Sequence, residues 1–514
     1  KRDRLLNRLY QNEAIDLLTL QLALLEELPE KPHILPNEAP HYLAKAYLGD
    51  KKEQRITSGI DEELQRKVNE VVAYHHEQLS QNGIHNTGVF VFDVKKEQVA
   101  TYVGNTNSGS QHGNQVDVVN APRSTGSILK PFLYLLKLNE GEILPNTLVP
   151  DVPSRFSDYS PKNFTRTYSG AVSASVALSR SLNVPAVYML QEYGVPKFQY
   201  YLQEMGLKTI NKSPEHYGLS LILGGAEGTL QDISLAYASL AKQLNEYDPR
   251  VPDSKVFRSI ISDVTTRKES GEFYLSPGAI WSTFEAMVEV SRPNEEAFWR
   301  RFDGARKVAW KTGTSFGFRD GWAIGITPEY VVGVWVGNAD GEGRPELTGV
   351  KTAGPILFDV FNALPATSWF QEPIYELENI AVCSKSGHRV SQYCEKRDTV
   401  FVPKTALNTD ICPYHKLVHL NKEENHQVNS SCTSILEIQT KPWFVLPPDQ
   451  EWYYRKSHQE YKQLPPLLAS CGNSQLSTMK LIYPFDASNI YIPIEMDGKT
   501  GKVVFEVAHR NPSA

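Results

Sequence analysis

The sequence predicts an α/β protein of several domains: a helical block beside a sheet whose strands come from distant parts of the chain, then a small β-sandwich. Three observations lead there. A helix and a hairpin signal open the main region near residue 58, and strand-like runs close it near residue 338 with apolar helical segments between. Beyond about residue 366 the composition turns to Pro, Tyr, Trp and Cys, and the last stretch reads as short strands with turns. Finally, 514 residues exceed what one hydrophobic core organises. The expected divisions are 1–57 as a stem, 58–366 as the main domain, 367–424 as a Cys-containing connector and 425–514 as the β-sandwich.

Residues 1 to about 50 carry a helical pattern interrupted by the proline-containing stretch from Pro29 to Pro40. The segment starting at Ser58, a cap-like residue, places Leu64, Val68, Val71 and Val72 at helical spacing and stops at Gly83. GVFVFDVKKEQVATYVG alternates β-branched and aromatic residues around a polar turn, which signals a hairpin. Gly126 precedes a strongly apolar helix (Ile128, Leu129, Phe132, Leu133, Leu135, Leu136), with Pro131 in its first turn where a missing donor costs little. RKVAWKTGTSFGFRDGWAIGITPEYVVGVWVGN holds three strand-like runs that complete the sheet begun at Val89.

Net charge of −6 with 22% charged residues argues against a nucleic-acid binder. No run approaches the roughly 20 apolar residues that span a bilayer. The charged helical start at Lys1 reads like the tail of something longer, and a preceding portion is expected to carry any targeting signal or anchor.

Ser-x-x-Lys places an amine one helical turn from a hydroxyl, within reach to take its proton once neutral. Alone the pattern is weak, and here it occurs at Ser127/Lys130, Ser239/Lys242 and Ser477/Lys480. Lys-Thr-Gly occurs at Lys311 and Lys499, and Ser-x-Asn at Ser80/Asn82 and Ser181/Asn183. Enzymes that combine the three motifs carry them in the order nucleophile, Ser-Asn, Lys-Thr-Gly. Only Ser127 has both partners downstream. A serine at a helix N-terminus also meets free amide donors that stabilise an oxyanion. Lys311 follows the apolar run Val308, Ala309 and Trp310, fit for a strand that pairs with an extended peptide, whereas Lys499 follows the turn signal Asp497-Gly498.

RSTGSILKPFLY, SRSLNVPAVYML, GLSLILGGAEGTLQDISLAYASLA, the Lys-Thr-Gly segment above and LPNEAPHYLAKAYL together resemble the class A penicillin-binding proteins, closest to their 1C type, over nearly the whole chain. The resemblance implies a penicillin-binding/β-lactamase-like transpeptidase fold, with an antiparallel-rich sheet, helices on its faces and a helical subdomain. It implies peptidoglycan D,D-transpeptidation: Ser127 attacks the penultimate D-alanine carbonyl, Lys130 accepts its proton, and Ser181 relays protons to the leaving amine. Asn183 holds the substrate amide, Lys311 and Thr312 bind the terminal carboxylate, Gly313 permits close approach, and the Ser127 and Thr314 amides form the oxyanion hole. Lys130 must then be neutral, through burial or the field of Lys311. Stem peptides and β-lactam antibiotics are the implied ligands, with no cofactor. An α2-macroglobulin-like envelope protein is a partner by analogy with the C-terminal domain of the 1C type. The implied location is the periplasmic side of the bacterial inner membrane. The start resembles the end of a glycosyltransferase domain whose catalytic part is absent, so glycan polymerisation is not expected. D,D-carboxypeptidation, a catalytically quiet scaffold and, less well fitted, a β-lactamase are the alternatives.

Other residues have plainer readings. Asp320 and Trp322 are expected to form a turn salt bridge and a core aromatic rather than to touch substrate, and Gly224 and Gly225 tight packing, since no phosphate-loop fingerprint accompanies them. His85 and His112 show no metal-ligand spacing. All five cysteines lie beyond residue 380 and describe a separate module, in which Cys383, Cys394, Cys412 and His415 fit a zinc site, an envelope compartment favours a disulfide among the five cysteines, and free thiols are the third reading.

Overall fold

Alternation of apolar side chains builds the sheet. The computed structural model describes residues 1–27, 37–49, 54–156, 159–260, 273–293, 306–472, 479–484, 490, 492, 494, 500 and 502–509. Strands β1 (Asn86–Asp93), β2 (Gln98–Val103), β3 (Ala309–Thr314), β4 (Asp320–Ile326) and β5 (Tyr330–Gly337) form one antiparallel sheet in the order β2-β1-β5-β4-β3. Val89 and Val91 enter one core and Phe90 and Phe92 the other, and the same period of two runs through β5, where Val332 and Val334 oppose Val331 and Trp335. The sheet thus joins strands from both ends of the main domain, as expected, and among the described residues β3 is a free edge.

One face is covered by α1 (Glu62–Ser80), through Val68 and Val72, and by the helix Ala353–Ala363. The cap of α1 is Asp61, whose carboxylate accepts from Leu64 N at 2.9 Å. This corrects the assignment to Ser58, whose hydroxyl accepts from Ile60 N at 3.4 Å; an ionised acceptor makes the stronger cap. The core on the other side is built by α2 (Lys130–Asn139), α3 (Ala174–Ser179), α4 (Asn183–Tyr193), α5 (Leu230–Asn245) and α6 (Pro277–Val288), of which α5 and α6 pack on the sheet itself. Every residue of α2 from Lys130 to Leu138 is buried, so it is apolar almost all round and runs through the domain centre.

Residues 1–38 form their own compact unit with helices Arg2–Gln11 and Leu17–Leu25, and 39–514 form the second. Most of the proline-containing stretch from Pro29 lies outside the described residues. Among the described residues no helix is long and apolar enough to cross a membrane. The tail is made of two-stranded ribbons: β6 (Leu377–Cys383) with β7 (Arg397–Pro403), β8 (His415–Leu420) with β9 (Gln439–Phe444), and Met479–Tyr483 with Glu506–His509. The β8–β9 ribbon crosses the expected division at 424/425. The cysteine region is not a detached module either: Thr405 Oγ1 donates to Leu138 O at 3.0 Å, and Leu148 N to Ser386 O at 2.9 Å.

Candidate active site

Strand alternation turns Lys311 and Gly313 toward the helical block, the side on which Ala309 is buried. There β3 meets the turn that leads into α2, and the approach is close enough to demand glycine on both sides. A Cβ on Gly126 would lie 2.7 Å from Thr314 O and 2.8 Å from Thr314 N, and one on Gly313 2.9 Å from Thr125 O. Gly126 also has φ of 52°, in the left-handed region.

Ser127 sits in this turn, part-exposed, and not at the start of the helix as the sequence suggested. The turn is closed by Ile128 N donating to Thr125 O (3.1 Å) and Lys130 N to Ser127 O (3.3 Å), so α2 begins only at Lys130. The left-handed residue 126 delays the helix. Trp322 Nε1 donates to Ser124 O (2.8 Å), Ser124 Oγ to Gly224 O (2.8 Å), and Tyr237 OH to Ile128 O (2.9 Å). A Cβ on Gly224 would stand 2.7 Å from Gly126 N, in line with the tight-packing reading of the glycine pair.

Ser181 follows α3 with φ of 54°. Ser181 N donates to Leu178 O and Leu182 N to Ala177 O, both at 2.9 Å, the paired bonds of a Schellman ending whose left-handed position is normally glycine. A serine held there stores about 1 kcal/mol or more of strain. The turn aims its carbonyls at Lys130, whose Nζ donates to Ser181 O (2.8 Å), Leu182 O (3.0 Å) and Asn183 Oδ1 (2.7 Å). Lys311 Nζ donates to Ser181 Oγ (2.8 Å) and Thr312 O (2.6 Å). Ser181 is therefore shared by both lysines.

Asn183 is the first residue of α4, with Nδ2 donating to Lys162 O at 2.8 Å. Its amide and that of Val184 donate to Asn163 Oδ1 (3.0 and 3.2 Å), and Asn163 Nδ2 is tied to Asp151 Oδ1 (2.7 Å). Thr314 Oγ1 accepts from Gly349 N at 3.1 Å. On the rim, the rings of Phe164 and Phe318 meet at 6.3 Å, and Phe316 is 95% exposed.

Both lysines are fully buried, and among the described residues neither has an ion pair. Burial holds Lys311 at about 7. Burial, and then the charge of Lys311, push Lys130 well below its ordinary value. Two ammonium groups this close cannot comfortably both stay charged. Three acceptors around Lys130 suit its protonated form, so a neutral Lys130 gives up one of them and gains a lone pair for a neighbouring hydroxyl.

The site thus gathers Lys130, Ser181, Asn183 and Lys311 by direct contact, and Ser127, Thr312, Gly313 and Thr314 by the seating of the turn on β3. Sequence reasoning missed Asn163, Ser124, Tyr237 and the role of Trp322, because each acts through a contact between distant segments. Asp320 is buried and accepts from Ser315 Oγ (2.7 Å) and Trp335 Nε1 (3.0 Å), hydrogen bonds in place of the expected turn salt bridge. His85 and His112 stack on each other with centroids 3.7 Å apart. Ser239 is buried within α5 and donates to Leu235 O, while Lys242 pairs with Glu97. Ser477, Asp497, Gly498 and Lys499 lie outside the described residues. Cys432 and Cys471 form a disulfide, and Cys383, Cys394 and Cys412 are free thiols beside His415.

Residues 87–362 match the family described as penicillin binding protein transpeptidase domain. Penicillin-binding protein 1C of Escherichia coli (strain K12) is 36% identical over 340 residues, 66% of this chain and 42% of that protein. Penicillin-binding protein 1F of Bacillus subtilis (strain 168) is 27% identical over 54% of this chain and 38% of its own length. The chain therefore spans less than half the length of these relatives. In fold it is similar to the crystal structure of penicillin-binding protein 1A from Haemophilus influenzae, with TM-score 0.55 and 14% identity over 78% of this chain and 81% of that one. It is also similar to the penicillin-binding protein PonA1 from Mycobacterium tuberculosis, with TM-score 0.51 and 21% identity over 65% and 93%.

Proposed function

The chain belongs to the penicillin-binding protein transpeptidase family, and from that membership we propose that it is a serine acyl-transferase that cross-links peptidoglycan stem peptides and is acylated by β-lactams. Ser127 Oγ attacks the carbonyl of the penultimate D-alanine while its proton passes to neutral Lys130. The oxyanion is received by the amides of Ser127 and Thr314. Protonation of the departing D-alanine nitrogen through Lys130 and Ser181 breaks the amide and leaves an ester on Ser127. The amine of a second peptide then attacks the ester, forms the cross-link and returns the proton to Ser127. Lys311 and Thr312 bind the terminal carboxylate, Asn183 the substrate amide, and Gly313 lets the peptide lie against the free edge of β3. In a β-lactam the leaving nitrogen stays tethered, so the ester persists.

The observation that carries this reading is the sharing of Ser181 between two buried lysines of like charge, beside a serine turn seated on an edge strand. In this proposal residues 58–366 carry the reaction, 1–57 act as a stem, and the ribbons beyond residue 366 form an accessory region that faces the periplasm with the rest. Nothing among the described residues supports the α2-macroglobulin-like partner. Intact-mass analysis after benzylpenicillin, beside Ser127→Ala, tests the mechanism: one persistent adduct on the parent alone is expected. Equal labelling of both chains would move the nucleophile elsewhere, and an unlabelled parent would favour the quiet scaffold. Adding an amine acceptor to a D-Ala-D-Ala peptide separates transpeptidation from carboxypeptidation, by cross-linked against hydrolysed product.

A further inference from the structure

The tail holds a side-chain cluster that acyl transfer does not use. Cys383 ends β6, Cys394 lies in the loop before β7, Cys412 lies three residues before β8, and His415 opens β8. All four are buried, and their ligand atoms lie within 4.8 Å of one another. His415 Nδ1 stands 3.4 Å from Cys383 Sγ, 3.5 Å from Cys394 Sγ and 3.4 Å from Cys412 Sγ.

Hydrogen bonding does not account for three near-equal distances, because a neutral imidazole nitrogen has one lone pair and accepts from one thiol. A disulfide does not account for them either. It would join two of the sulfurs and strand the third, and Cys432 and Cys471 are already bonded to each other. A tetrahedral ion does account for them: with metal–sulfur bonds of about 2.3 Å and a metal–nitrogen bond of about 2.0–2.1 Å, the sulfur-to-nitrogen edges are about 3.5 Å. The surrounding donors suit thiolates. Ser386 Oγ donates to Cys412 Sγ (3.2 Å) and Ser391 N to Cys394 Sγ (3.3 Å). A tight turn with left-handed Gly387, closed by Gly387 N to Cys383 O at 2.8 Å, folds the chain back on Cys383.

We propose that Cys383, Cys394, Cys412 and His415 hold one Zn²⁺ in a closed structural site. Three thiols release three protons as the ion binds, and the three thiolates with neutral imidazole give the site a net charge of −1. Four protein ligands leave no position for water or substrate, so the ion is architectural. It ties the β6–β7 ribbon to the β8–β9 ribbon, and through the Thr405 and Ser386 contacts it steadies the tail against the α2 side of the transpeptidase domain. A redox-inert ion with a soft S₃N donor set also keeps these thiols from pairing.

The test uses the whole chain, purified without chelator, with metal content measured directly. About one zinc per chain is expected, falling at least tenfold in Cys412→Ser and in His415→Ala. Exchange of the parent for Co²⁺ should give the visible d–d and sulfur-to-cobalt charge-transfer bands of a tetrahedral thiolate site, which does not depend on any variant folding. Thiol titration of the unfolded, zinc-stripped chain should find three free thiols. Chelation should lower Tm while the benzylpenicillin adduct on Ser127 still forms at room temperature, so failure here is distinct from failure of the acyl-enzyme reading. A fully reduced parent that takes up neither Zn²⁺ nor Co²⁺, zinc retained by both variants, or a second disulfide found as isolated would each overturn the proposal.

Discussion

Gly126→Ala tests whether acylation rests on the seating of the serine turn against β3. The new Cβ would fall 2.7 Å from Thr314 O and 2.8 Å from Thr314 C and N, backbone atoms held by the β3–β4 ladder. Carbon contacts settle at about 3.5–4.0 Å, so the turn must withdraw by about 1 Å. Two separable effects follow. Alanine at φ of 52° costs about 1–2 kcal/mol in stability. A shift of about 1 Å at a reacting group costs about 10²-fold in rate, or about 2.7 kcal/mol of barrier. Gly206→Ala is the control: its φ is 99° and a Cβ there meets nothing within 4 Å, so it carries the conformational effect alone. Second-order acylation rates from a fluorescent-penicillin time course, with Tm for each variant, separate the two. Both variants should lose stability, and only Gly126→Ala should acylate about 10²-fold more slowly. If it acylates within about threefold of the parent, the argument from close seating is wrong.

Further outcomes follow from the same geometry. Because the charge of Lys311 helps lower Lys130, Lys311→Gln should let Lys130 keep its proton to higher pH and move the acid limb of the acylation profile upward; an unmoved limb refutes the coupling. Lys311, at about 7 when folded and near its ordinary value when unfolded, penalises folding fully below pH 7, and the penalty fades as pH rises and the folded state sheds its proton first. The stability gained by Lys311→Met should therefore shrink from pH 6 to pH 9 in denaturant titrations, and a constant gain would contradict this. Asn163→Ala removes the acceptor for two amides of α4 and should cost about 1–2 kcal/mol, with slower acylation through Asn183; unchanged melting and rate would remove its positioning role. Trp322→Phe leaves Ser124 O without its indole donor and should cost about 1–3 kcal/mol in unfolding free energy.

The elements that could be read from sequence are those whose signals are local. Period two in GVFVF and VVGVWV marks strands, and the apolar run after Gly126 marks α2. Motif order singled out Ser127, Lys130, Ser181, Asn183 and Lys311 from their duplicates without any distance information. What stayed hidden depends on contacts between remote segments. Asn163 lies 20 residues before the amide it receives and belongs to no motif. Trp322 reads as a core aromatic until its indole is found on Ser124 O, 198 residues away. The delayed start of α2 follows from the approach of Gly126 to Thr314, which no helix propensity encodes. In the tail, separations of 11, 18 and 3 residues between the four clustered side chains match no regular pattern, so two ribbons and the loops beside them had to be in place before they converged.

The sheet has a consequence for how the protein is made. β1 has two neighbours, and while β2 follows within a few residues, β5 is about 245 residues downstream. At about 5–20 residues per second, the hairpin waits about 10–50 s for its partner, with a row of unpaired amides and valines available to any other strand. Ring closure over so long a span is slow in itself. Biogenesis of this protein should therefore depend on chaperones that shield nascent edges, and its yield should fall with temperature well before the finished fold begins to melt.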